Sequence, residues 1–180
     1  MNEGVLSLEQ SNTRRIVYLG LLTGLALGLH LLENMLPLPT NITVPGFKLG
    51  LANIVSLYVI LNFTIKDAVT ITILRTVLAS LAGGTFLSIT FFFSFFGGIV
   101  STLVMGLAQR YLGRFFSLLG ISLIGAVIHN LTQLSIAAVV IESAGIFGYL
   151  PYMLFFALPT GAFVGLVTAQ INKHYSAAGF

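Results

Sequence analysis

Arg75 is the residue whose chemistry most constrains this sequence. It lies about nine residues from either end of the mostly apolar run 65–83, a stretch long enough to cross a bilayer. An arginine that deep costs at least ~2.5–3.5 kcal/mol on insertion scales, so it faces a protein interior and a partner. Two partners fit. One is an anionic ligand. The other is the carboxylate of Glu33, near the outer end of the first apolar segment, which Arg75 would meet by reaching upward.

Other polar residues fall at comparable depth. At a rise of about 1.5 Å per residue, Arg75 is roughly 13 Å beyond Lys66, and Asn53 is roughly 8 Å below Lys48. His129 and Asn130 lie about a dozen residues from either end of their own apolar segment. Gln133 is four residues from His129 and three from Asn130, so the three share a helix face that can look into a pocket. Taken singly, Asn, Gln and His also serve as hydrogen-bonding links between membrane helices, worth about 0.6 kcal/mol each. Lys48 follows a Pro-rich stretch and is expected to open the second helix. There it either snorkels to the interface or adds charge to an anion-attracting helix N-terminus. Arg75 and Lys48 would hold negative charge, while Asn53, His129, Asn130 and Gln133 would orient a ligand.

The elements that must position these residues are membrane helices. Hydrophobic residues make up 57% of the chain and charged residues 7%, with a mean hydropathy of +1.02; soluble domains run near 25% charged. The basic residues are scattered, which excludes a nucleic-acid footprint, and the absence of cysteine excludes disulfides and thiol chemistry. Six segments approach the roughly 20 residues a span needs: about 16–33, 47–63, 66–83, 88–109, 118–142 and 147–171. The first is read as a retained helix because it lacks a convincing cleavage site and further spans follow it. Pro37, Pro39 and Pro45 keep 36–46 out of any helix, and the loop 34–46 is a candidate lid.

With both termini cytoplasmic, Arg14, Arg15, Lys66, Arg110, Arg114 and Lys173 fall inside and only Lys48 falls outside, as the positive-inside rule requires. One domain is expected: a cytoplasmic tail 1–15, a six-helix membrane domain 16–172 and a second cytoplasmic tail 173–180. Gly20, Gly24 and Gly28 form a small-residue ladder suited either to internal packing or to docking a partner helix. Gly97-Gly98 favours close packing, and Phe86, Phe91, Phe92, Phe93, Phe95 and Phe96 face lipid, core or an apolar ligand tail.

Absences narrow the chemistry. There is no GxxxxGK[ST] phosphate loop. Asp67 is the only aspartate, so no carboxylate cluster stands ready to hold Mg²⁺ for diphosphate chemistry. No acidic residue sits near the midplane for ion coupling. A non-catalytic chain without cofactor or metal is expected.

Four ordered blocks, PGFKLGLANIVSLY (45–58), the Arg75 segment with GGTFLS (83–88), FFGGIVSTLVM (95–105) and GAVIHNLTQL (125–134), resemble a bacterial membrane family. That family is known as heptaprenyl diphosphate synthase component I, or Gx transporter, and the resemblance spans about 16–170. It is similar in turn to the substrate-binding S components of energy-coupling-factor transporters. The resemblance implies an S-component-like six-helix bundle in the bacterial cytoplasmic membrane, with an outward pocket and a small-residue first helix. It implies as partners a transmembrane coupling protein and two ATPase subunits. On this reading the chain captures a small anionic or isoprenoid-related solute for ATP-driven uptake. The family's enzyme name implies an alternative, a membrane accessory subunit serving a soluble prenyltransferase. A structural scaffold is the third reading.

Overall fold

A computed structural model describes residues 3–35 and 50–177, with side chains for 12–35 and 50–174. Among these residues the fold is all α: α1 (Glu3–Met35), α2 (Leu51–Asn62), α3 (Ile65–Ala82), α4 (Ile89–Leu112), α5 (Leu118–Ile141) and α6 (Leu150–Ala177), with a 3₁₀ helix at Ala144–Tyr149 before α6. This is the six-helix architecture expected. The tail expected at 1–15 continues α1 as helix from Glu3 onward.

Local chemistry sets the boundaries. α3 opens on a capping box: Thr64 Oγ1 accepts from the Asp67 amide at 3.2 Å, and Asp67 Oδ2 accepts from the Thr64 amide at 3.0 Å. It closes on a Schellman turn, with Gly84 at φ 66° and the Thr85 amide bonded to the Ser80 carbonyl at 2.9 Å. Ser88 and Ser117 cap α4 and α5 by accepting from amides in their first turns. Pro159 lies inside α6. There the Thr160 hydroxyl donates to the carbonyls of Phe156 and Ala157 at 3.2 and 3.1 Å, adding bonds next to the turn that the proline interrupts.

The second helix departs from expectation. Among the described residues it runs from Leu51, after Gly50 in a left-handed conformation (φ 77°), and residues 47–49 of the expected span lie outside the described residues. At 12 residues α2 is about 18 Å long, short of the bilayer core. It tolerates this because most of its surface is buried: Ala52, Ile54, Val55, Leu57, Val59 and Ile60 form much of the core, so few of its side chains would meet lipid. Four segments are long and apolar enough to cross on their own: Asn12–Met35, Ile89–Leu112, Leu118–Ile141 and Ala144–His174.

From α2 onward short connections return the chain after each helix, and side chains pin the resulting ends. Arg15 pairs with Asp67 at 2.6 Å, and Asn62 bonds Asn172 at 3.2 Å, gathering the basic ends of α1, α2, α3 and α6. At the other end the Glu33 carboxylate accepts from the Gly50 amide, joining α1 to α2. α4, α5 and α6 pack through glycines. A Cβ at Gly125 would lie 2.4 Å from Met105 Sδ, and one at Gly165 would lie 2.7 Å from Leu119 Cα. α1 buries only a narrow stripe that includes Ala26, His30 and Glu33.

Candidate functional site

Arg75 is 5% exposed, midway along α3, and its surroundings are polar. Its Nη2 donates at 2.7 Å to Oδ1 of Asn53, a residue that the depth estimate puts in a neighbouring layer. Its Nε is buried and meets no acceptor among the described residues. Glu33 is also 5% exposed and acts on Arg75 electrostatically from the end of α1. The ion pair in direct contact among the described residues is instead Arg15–Asp67. Glu33 therefore offsets the buried charge of Arg75, while Asn53 makes the hydrogen bond.

These groups line one cavity of about 50 Å³, with walls from every helix: His30 and Glu33 of α1, Asn53 of α2, Arg75 and Thr76 of α3, Ser94 of α4, His129 and Asn130 of α5, and Thr160 of α6. That volume holds one or two water molecules, each occupying about 30 Å³. It lies toward the end of the bundle where Glu33 meets Gly50 and away from the basic end. Met105, Ser122 and Gly125 contribute to its lining deeper in the bundle.

The remaining candidates divide. His129 lies against α4, where Gly97 leaves room for its ring; a Cβ there would sit 3.0 Å from His129 Cε1. Gln133 does not line the cavity. Its side-chain amide is hydrogen-bonded to His129 Nε2 at 3.1 Å, so Gln133 reaches the cavity through the His129 ring. Asn130 lines the cavity and also donates to the Met153 carbonyl at 3.1 Å, holding α5 to α6. Lys48 and the candidate lid beyond residue 35 lie outside the described residues. The phenylalanine cluster of α4 packs ring on ring, with Phe86–Phe91 centroids at 5.1 Å, and none of its members lines the cavity.

The glycine ladder faces away from the bundle. Gly20, Gly24 and Gly28 are exposed, and a Cβ at any of them would meet nothing within 4 Å. Among the described residues nothing packs against the ladder. His30 escapes the sequence reading although it lies three residues before Glu33 on an apolar helix, a spacing that places both on one face.

Among the described residues, fold and cavity together define a multi-pass α-helical membrane protein with a polar cavity built around a buried arginine. The chain belongs to the heptaprenyl diphosphate synthase component I family, whose profile it matches over residues 22–171. No curated protein and no solved structure matches it.

Proposed function

We propose that this chain is the non-catalytic membrane component of a polyprenyl diphosphate synthase, partnered by a soluble prenyltransferase. The family match over residues 22–171 carries the reading. The carboxylate inventory agrees with it. Asp67, the only aspartate, is engaged by the capping box of α3 and by Arg15, and diphosphate chemistry assisted by Mg²⁺ wants clustered carboxylates. The Arg75 chamber then serves as a binding site. The Arg75 Nε–H, without an acceptor among the described residues, suits a ligand that brings an acceptor oxygen. Capture from native membranes tests the partnership. A prenyltransferase should be recovered and its product length should change when this chain is added. Recovery without any change in product distribution would sink the accessory role.

A second reading is favoured by the outward face of the Gly20/Gly24/Gly28 ladder. A stripe of small residues open to the bilayer admits the close approach of another helix, as the docking of a transporter substrate-binding component to its coupling protein requires. On that reading the chamber holds a solute for ATP-driven uptake. Gly24→Leu should then abolish co-purification of ATPase subunits while leaving the melting temperature of the chain unchanged. A prenyltransferase recovered equally with wild type and Gly24→Leu, with no ATPase in either, excludes it.

A further inference from the structure

A second recess opens at the opposite end of the bundle. Residues of α1, α2, α3 and α4 enclose a groove of about 740 Å³, within the range of small-molecule sites. Its floor is apolar, formed by Ile60, Phe63, Ile65 and Gly106. Its rim carries Arg15, Lys66 and Arg110.

A basic membrane end by itself is only a topology signal. Three observations distinguish this one. First, Asp67 neutralises Arg15 alone, so Lys66 and Arg110 keep their charge without a carboxylate partner among the described residues. Second, the floor adjoins exposed apolar surface of α4, with Leu103 and Leu107 both open, so an acyl chain can run from groove to bilayer. Third, Gln109 lines the groove, and its covered Oε1 has no hydrogen-bond partner among the described residues, so a turn of the amide would present an unused acceptor to a groove ligand. Two unneutralised cations, an apolar floor and an acceptor awaiting a donor match an amphiphile with an anionic phosphate and a hydroxyl-bearing headgroup.

We propose that this groove binds an anionic phospholipid of that kind at the basic face, its phosphate between Lys66 and Arg110 and a headgroup hydroxyl donating to Gln109. Lipid capture here does not depend on the function proposed above, since none of these residues lines the Arg75 chamber.

Native mass spectrometry of the purified full chain tests it, using dioleoyl phosphatidylglycerol and dioleoyl phosphatidylcholine as probes. Wild type should retain phosphatidylglycerol in preference to phosphatidylcholine. Lys66→Gln/Arg110→Gln should lower phosphatidylglycerol affinity about tenfold or more, whereas Arg114→Gln/Lys173→Gln, with the same charge change at the same end, should alter it by less than about twofold. All four side chains are exposed, so both variants should fold, and matched melting temperatures check this. Wild type alone gives a second readout, because phosphatidylglycerol retention should fall as sodium chloride is raised. Equal losses in the two double variants, equal retention of the two lipids, or retention indifferent to salt would each overturn the proposal. So would displacement of the lipid by millimolar inorganic phosphate, which would make the groove a site for the free ion.

Discussion

Arg75 and Arg110 carry the same guanidinium group into unlike settings. Arg75 is buried at mid-helix beside Asn53, within the electrostatic reach of Glu33 and against a chamber of about 50 Å³. Arg110 sits in the last turn of α4, exposed at the edge of a groove of about 740 Å³, with its charge 5.7 Å from the centre of the Tyr111 ring. The first charge persists because several groups were placed to compensate it. The second is compensated by solvent and by the C-terminal end of its own helix. A polar group at a helix end costs little and says little about ligands, whereas one at mid-helix demands a built environment that can be taken apart residue by residue.

The largest effect should come from dismantling that environment at its centre. Arg75→Met leaves the Glu33 carboxylate without its compensating positive charge and Asn53 Oδ1 without its donor. Removing one partner of a buried charge pair costs about 3–5 kcal/mol, so a large drop in detergent-solubilised melting temperature is expected. Adding Glu33→Gln should restore part of the loss. If the double variant is no more stable than the single, the two charges are not coupled, and the offsetting role assigned to Glu33 fails.

Asn53→Ala is the next step down. It keeps both charges and removes the acceptor bonded to Arg75 Nη2, for an expected cost of about 1–3 kcal/mol. Thermal unfolding reads the stability, and retention of a chamber ligand by native mass spectrometry reads the site. Stability unchanged within error would mean that Arg75 finds another acceptor and that the chamber is softer than its closed form implies.

The contrast between the two ends also explains what could be read in the sequence. Helix existence was legible because apolar runs broken by prolines, glycines and charges have no other reading at this composition. The grouping of Arg75 with Asn53, His129 and Asn130 followed from counting residues along each span, since depth depends on helical rise and little else. Facing was harder. Gln133 shares a helix side with His129, yet four residues rotate the helix by about 400°, and the offset turns Gln133 out of the chamber and onto the His129 ring itself. The left-handed backbone of Gly50, at the start of α2, is a feature that an apolar pattern does not encode. His30 was hidden by the glycine ladder on the same helix, which drew the eye to the face that turned out to look outward.

The smallest effects belong to the basic end, and their order is itself a test. Thr64→Ala removes the N-cap acceptor of α3 and should cost about 1 kcal/mol. Arg15→Ala breaks the ion pair with Asp67, but Arg15 is 46% exposed and the pair is open to counter-ions. Such pairs contribute about 0–1 kcal/mol. The Asp67 carboxylate also keeps its bonds to the Thr64 amide and hydroxyl after Arg15 is gone. Arg15→Ala should therefore perturb the melting temperature less than Thr64→Ala, and its small effect should vanish at high salt while that of Thr64→Ala persists. A reversed order, with Arg15→Ala the costlier change and insensitive to salt, would mean that this pair is shielded from solvent. Charge at the basic end would then be built in much as it is around Arg75.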